Sequence, residues 1–273
     1  MPVNRYFFMI IRMLRLLLGN PMVKLIHFPG VKLNSLNSAD LACPSGLSIF
    51  VMAMLTLTNF LAIILAYLIG SIPSAVWIGK FFYQVDVREH GSGNSGATNT
   101  FRVLGKRAGL PVLIIDMLKG WGSVNLAYLF SDSPGTEQFV ELQMVLGIVA
   151  LLGHIFPVLA AFRGGKGIAT LLGLSIAIHP QAALVAIGVF AIVFLFSNYI
   201  SLSSIIASLS FPFSLMFIFP TEIPSFIAFS LFTSAMVLLT HQQNIERLLN
   251  KQESKVHLIR RKPERQTGEK ESD

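Results

Sequence analysis

Apolar residues in this chain come in long blocks, and polar residues are gathered into the short stretches between them. The blocks are 55–79, 109–130, 140–162, 168–178, 182–196, 202–219 and 223–240. A helix needs about 20 apolar residues to cross the hydrocarbon core of a bilayer. The first block meets that length without a charge, with Pro73 inside it. A spanning helix tolerates such a proline when a neighbour satisfies the carbonyl it frees. The second block carries Asp116 and Lys119, three positions apart, where one helix face brings them together as a pair. The third carries His154. The last four blocks are shorter and are separated around Pro180, Asn198 and Pro220, so some of them could be re-entrant. The pattern predicts an all-α, polytopic membrane bundle of about seven transmembrane helices.

Composition supports this class. Hydrophobic residues make up 53% of the 273 residues and charged residues 13%, against about 25% charged in a soluble domain. A water-soluble enzyme and a disordered chain are both excluded. The net charge of +7 is confined to alternate connections. Lys80, Arg88, Arg102, Lys106 and Arg107 lie between the first two blocks, Arg163 and Lys166 after the third, and more Lys and Arg after His241. The connections 131–139, 179–181 and 220–222 have none. Such alternation follows the positive-inside bias of membrane proteins and not a nucleic-acid surface. It predicts an N-terminus outside and a C-terminus in the cytoplasm.

The first 50 residues break the pattern. Arg12 and Arg15 interrupt 6–18, which is neither a span nor a signal peptide core. Two readings fit: an amphipathic surface helix with a tail, or an extension preceding a true start at Met52 or Met54. We divide the chain into an extension, 1–53, a membrane domain, 54–253, and a charged cytoplasmic tail, 254–273. Cys43 stands alone, so an intrachain disulfide is excluded. No His/Asp/Glu cluster has metal-ligand spacing, so neither a metal nor another cofactor is expected.

Three polar segments carry candidate chemistry. In 88–102, Gly91, Gly93 and Gly96 let the backbone turn tightly and approach a ligand. Ser92, Asn94, Thr98 and Asn99 add neutral donors, and Arg88 and Arg102 add fixed charge. Backbone amides with an arginine fork suit a phosphate. In the second segment, Gly164, Gly165, Lys166 and Gly167 open the helix at Ile168, and a helix N-terminus attracts anions. The third begins at His241, which shares a helix face with Asn244. Tyr199, Ser201, Ser203 and Ser204 supply hydroxyls at a break between blocks. Each segment also has a plain structural explanation as a flexible loop, a basic turn or an amphipathic exit helix.

Taken in order, the segments resemble the bacterial membrane glycerol-3-phosphate acyltransferases that use acyl-phosphate, the PlsY family. The matching residues are Gly70–Pro73, Gly91–Asn99 with Arg102, Asp116 with Lys119 and Gly120, Gly153 to Pro157, Gly164–Thr170, Tyr199–Ser204, and His241 with Asn244. Two departures stand out. The family has an arginine where this chain has Thr240, and a glycine before the closing acidic residue, where Asn250 to Gln252 precede Glu253.

The resemblance implies transfer of an acyl group from acyl-phosphate to the sn-1 hydroxyl of glycerol 3-phosphate. The products would be lysophosphatidic acid and phosphate, in the first step of phospholipid synthesis in the bacterial inner membrane. It implies Ser92, Arg102, Lys166, His241 and Asn244 as catalytic residues. Ser92 and Arg102 would hold acyl-phosphate, and His241 and Asn244 would orient the hydroxyl or the leaving phosphate. It implies Gly91, Gly93, Asn94, Thr98, Asn99, Gly164, Gly165, Gly167, Ser203 and Ser204 as phosphate-binding residues. The implied partners are the two substrates, membrane lipids and a soluble enzyme that makes acyl-phosphate. The rival class is a transporter of phosphorylated solutes, which would also need basic, glycine-rich anion sites.

Overall fold

The structure, a computed structural model, describes residues 57–131 and 133–256. The expectations for 1–53 and for the tail beyond 256 lie outside the described residues. Within them the regular structure is helical. The elements are α1 (Leu57–Gly70), α2 (Ser74–Tyr83), α3 (Ala97–Leu104), α4 (Lys106–Asn125), α5 (Ala127–Phe130), α6 (Glu137–Ile155), α7 (Ile168–Ile178), α8 (Pro180–Ser197), α9 (Ile200–Phe213), α10 (Pro224–Thr240) and α11 (Gln242–Leu249). Short 3-10 turns stand at Val87–Glu89 and Val158–Ala160, and a π-helical turn, Ser214–Ile218, extends α9 past Pro212.

All seven apolar blocks are helical, but not all are alike as spans. Four helical segments are long and apolar enough to cross a membrane: 106–130, 137–160, 180–197 and 200–218. Two bent pairs raise the number to six among the described residues: α1 with α2, bent by 42°, and α10 with α11, bent by 61°. α7, at 11 residues, falls short of a span. The seventh expected crossing corresponds to this short helix.

The first bend is where Pro73 interrupts the chain, and the carbonyl its missing N–H would leave free, Ile69 O, accepts from Ile72 N at 3.2 Å. Lys119 Nζ donates to Ile72 O at 3.0 Å and pairs with Asp116 Oδ1 at 2.8 Å. Ser74 Oγ also donates to Asp116 Oδ1, at 2.7 Å. The paired acid and base expected on one face of α4 thus tie α4 to the α1–α2 break.

α4 lies against α7, α1 against α6, and α9 against both α8 and α10. The α4–α7 approach is close because small residues line it. A Cβ on Gly173 would lie 1.9 Å from Met117 O, and one on Gly120 would lie 2.1 Å from Thr170 O. Without a hydrophobic drive inside lipid, such close backbone packing holds helices together. The main core joins Val124, Met144, Leu151, Leu174, Phe211, Leu215, Phe229 and Met236. Outside it, Leu129, Leu184, Leu195 and Phe196 are exposed, as lipid-facing side chains are. α8 is only 11% buried, and it forms an outer wall of the site.

Candidate active site

One cavity of about 670 Å³ gathers the three polar segments at one end. Leu171, Leu172, Ala186, Ile187, Phe190 and Phe211, from α7, α8 and α9, line its apolar remainder. A volume of this size suits a substrate with a polar head and an apolar body.

Two helix N-termini open onto the polar end. Gly96, Ala97, Thr98 and Asn99 begin α3, and Gly167, Ile168 and Ala169 begin α7. The first amides of a helix have no partner within it, and the dipole adds positive potential there. Two basic side chains share the cavity wall: Lys166, just before α7, and Arg102, in the last turn of α3, whose Nη1 reaches back to Asn99 Oδ1 at 3.4 Å. Gly167 takes a φ of 81°, so its left-handed turn delivers the chain into α7 where another residue would be strained.

The 86–102 segment is shaped by Asn99. Its Nδ2 donates to Val87 O at 2.8 Å and His90 O at 3.1 Å. Its Oδ1 accepts from Ser92 N at 2.9 Å and Arg102 Nη1 at 3.4 Å. Asn99 therefore spends its amide on folding the loop. Ser92, Thr98 and Arg102 are exposed at the cavity, which Gly91 and Asn94 also line. Arg88 is used elsewhere. It grips Asp86 at 2.9 Å through Nε and 2.7 Å through Nη2, and Ala160 O at 3.1 Å through Nη1. That side-chain hydrogen bonding holds the Asp86 carboxyl well below the usual carboxylate range. The fixed positive charge expected of Arg88 at the site is thus committed to tying two loops together.

Lys166 Nζ donates to Asn244 Oδ1. Burial lowers its pKa to about 8, with help from the nearby charges of Arg247 and Arg102 and against the pull of Glu253. Asn244 Nδ2 donates to Glu253 Oε1 at 2.7 Å. Ser201 Oγ reaches the same oxygen at 2.8 Å, and Arg247 Nε reaches Oε2 at 2.8 Å. Burial alone would raise the Glu253 carboxyl, but these three donors bring it below its ordinary value. Glu253, Ser201 and Arg247 all line the cavity; the sequence marked Ser201 only as a hydroxyl at a break and Glu253 only as the closing acid, and gave none of the three a place in the site. Their signal was thin: one arginine on an exit helix, one acid after it, and one serine among several.

His241 sits at the 61° bend between α10 and α11. Its Nδ1 lies 2.8 Å from Val237 O. A carbonyl only accepts, so Nδ1 carries the hydrogen, and the neutral ring keeps Nε2 as an acceptor. Thr240, where the family has arginine, donates to Lys166 O at 3.3 Å. The missing glycine before Glu253 does not prevent the turn, because Lys251 takes a left-handed φ of 56°. Ser254 and Val256, which follow Glu253, also line the cavity.

Of the expected phosphate-binding residues, four stand off the cavity wall. Ser203 is fully buried, and its Oγ is bonded to Tyr199 O at 2.7 Å. Ser204 does line the cavity, with its hydroxyl on Ile200 O at 2.8 Å. Gly164 and Gly165 turn toward His154, away from the cavity. Gly93 is exposed in the loop, away from the lining.

A family model described as glycerol-3-phosphate acyltransferase matches residues 60–251. Glycerol-3-phosphate acyltransferase 2 of Bacillus anthracis is 44% identical over 199 residues, covering 72% of this chain and 99% of that protein. The glycerol-3-phosphate acyltransferase of Geobacillus kaustophilus is 45% identical over 197 residues, with 72% and 95% covered. The crystal structure of PlsY, an integral membrane glycerol 3-phosphate acyltransferase, in its glycerol 3-phosphate form aligns with a TM-score of 0.66 at 36% identity. That alignment covers 72% of this chain and 95% of that one. The lysophosphatidic acid form aligns at 0.64 with 35% identity, over 72% and 95% of the two chains. On a family match across most of its length, and on relatives this similar over nearly their whole chains, the protein belongs to the glycerol-3-phosphate acyltransferase family of integral membrane enzymes.

Proposed function

We propose that this enzyme moves a fatty acyl group from acyl-phosphate to the sn-1 hydroxyl of glycerol 3-phosphate, releasing lysophosphatidic acid and inorganic phosphate. One observation supports the donor. Two helix N-termini and two basic side chains, Arg102 and Lys166, open onto a single cavity with an apolar end. Two anionic heads and one acyl chain match that arrangement. The α3 terminus, with Ser92 and Arg102, takes the acyl-phosphate head, and the apolar end takes its chain. The α7 terminus, with Lys166, takes the phosphate of glycerol 3-phosphate.

Acyl-phosphate is a mixed anhydride and is already activated. The glycerol hydroxyl oxygen attacks the acyl carbon, the bond from that carbon to the phosphate oxygen breaks, and phosphate leaves. His241 Nε2 accepts the hydroxyl proton, with its ring fixed through Nδ1 on Val237 O. Arg102 and the α3 amides stabilise the charge that gathers on the departing phosphate. No covalent enzyme intermediate is needed; the work is positioning and electrostatics.

The residue roles fit a cytoplasmic site in a bacterial inner membrane, where a soluble enzyme would supply acyl-phosphate. Family membership favours this enzyme over a transporter of phosphorylated solutes. The donor test is acyl transfer by purified protein in detergent with glycerol 3-phosphate and either palmitoyl-phosphate or palmitoyl-CoA. Product from the phosphate donor alone supports the reading. Product from the CoA donor alone keeps the acyltransferase and overturns the donor.

A further inference from the structure

His154 is a buried histidine at the end of α6 that the proposed chemistry does not use. It touches the 164–167 loop in three ways. Its carbonyl accepts from Gly165 N at 3.2 Å. A Cβ on Gly164 would lie 2.1 Å from that same carbonyl oxygen, and a Cβ on Gly165 would lie 2.3 Å from the ring Nε2. The loop therefore rests directly on the backbone and ring of His154, and only residues without a side chain fit there. The gap left beside it is about 10 Å³, room for no more than one water.

His154 is itself held from two sides. Its Nδ1 lies 3.1 Å from Thr170 Oγ1, in the first turn of α7, and 3.7 Å from Asp116 Oδ1. Asp116 is anchored by Lys119 and Ser74, and Lys119 reaches across to Ile72 O. One connected set of side chains thus joins the α1–α2 break, α4, α6 and α7 beneath the loop. Buried ion pairs add little net stability over well-packed apolar residues, and their better attested use is to fix one arrangement. The arrangement fixed here is the shape of the loop and the direction of the α7 amides.

We infer that His154, clamped between Asp116 and Thr170, is a positioning residue that holds the Gly164–Gly167 loop and the α7 N-terminus in the shape that captures the phosphate of glycerol 3-phosphate. The inference rests on the assignment of that loop to glycerol 3-phosphate. Loosening the clamp weakens capture of that substrate and leaves the acyl-phosphate head, held by α3, unaffected.

Removing Asp116 or Lys119 alone would strand a buried charge and risk the fold, so the test uses Thr170→Val, which keeps shape and loses only the hydroxyl. His154→Phe keeps a ring under the loop without polar atoms, and His154→Asn returns a polar atom near the Nδ1 position. KM for each substrate, kcat and thermal stability are measured, with Lys166→Ala alongside. Thr170→Val and His154→Phe each raise KM for glycerol 3-phosphate about five- to tenfold, while KM for acyl-phosphate and kcat stay near wild type. His154→Asn recovers part of the loss. An unchanged KM for glycerol 3-phosphate in Thr170→Val, or equal losses for both substrates, overturns the positioning role. If Lys166→Ala also leaves that KM unchanged, the loop is not the glycerol 3-phosphate site and the inference falls with that assignment. If Lys166→Ala raises it while Thr170→Val does not, only the positioning role falls.

Discussion

If Lys166 holds glycerol 3-phosphate as proposed, its charge should make capture of that substrate depend on pH in a range where an ordinary lysine would not. Burial, with Arg247 and Arg102 nearby, lowers its pKa to about 8 from an ordinary 10.5. Below about 8 the side chain is an ammonium and can bind phosphate; as pH rises through that value it becomes neutral. A hydrogen bond to a charged group is worth about 1.5–3 kcal/mol, or roughly tenfold to a hundredfold in affinity. KM for glycerol 3-phosphate should therefore rise about tenfold per pH unit above 8 and level off once the Lys166 contribution is lost. The α7 amides keep the residual binding. A phosphate monoester takes its second proton near pH 6, so KM should be lowest between about pH 6 and 8. Lys166→Arg provides the control, because a guanidinium stays charged throughout. Initial rates at saturating acyl-phosphate, measured from pH 6 to 10, give the profile. The rise belongs to wild type and is absent from Lys166→Arg. A wild-type KM flat to pH 10, or the same rise in both proteins, would refute the reasoning.

Other outcomes follow from the same contacts. Glu253→Gln keeps shape but loses the charge on which Ser201, Asn244 and Arg247 converge. It should lower kcat/KM about tenfold and reduce the melting temperature, as read by rate and thermal unfolding. Because the Glu253 pKa is lowered, the tie it makes is complete above the ordinary glutamate value and weakens as pH falls through the folded one. His241→Gln removes the Nε2 acceptor and should lower kcat about a hundredfold while both KM values hold; a kcat near wild type would remove His241 from proton transfer.

Much of this was legible in the sequence because membrane solvent and phosphate chemistry both leave strong marks. Apolar blocks located the helices, and the Asp116–Lys119 spacing anticipated their ion pair. Pro73 pointed to a freed carbonyl, and the structure satisfies that carbonyl, Ile69 O, from within the bend through Ile72 N. Glycine-rich, basic segments marked the two helix ends that open onto the cavity. Contacts made across the chain were not legible. Arg88 looks like a phosphate ligand in its local context, but Asp86 and the distant Ala160 claim it. Asn99 looks like a ligand too, yet its amide is consumed within its own loop. Ser203 and Ser204 are neighbours in sequence, but a helix turns one toward the cavity and the other into the bundle. Glu253 acquires meaning only when Ser201, Asn244 and Arg247 are brought to it by folding. α7 matched the apolar pattern of its neighbours, but at 11 residues it is shorter than an average span, and its N-terminus lies in the site.

The central claim is that one cavity holds two phosphates at two separate helix ends, and crossed kinetics test it most directly. KM for acyl-phosphate and for glycerol 3-phosphate would be measured for wild type, Arg102→Ala and Lys166→Ala. Each variant loses a charge-assisted contact worth roughly tenfold to a hundredfold in affinity. The account predicts that Arg102→Ala raises KM for acyl-phosphate and Lys166→Ala raises KM for glycerol 3-phosphate, each leaving the other nearly unchanged. Equal losses for both substrates in both variants would mean a single shared anion site, and would contradict it.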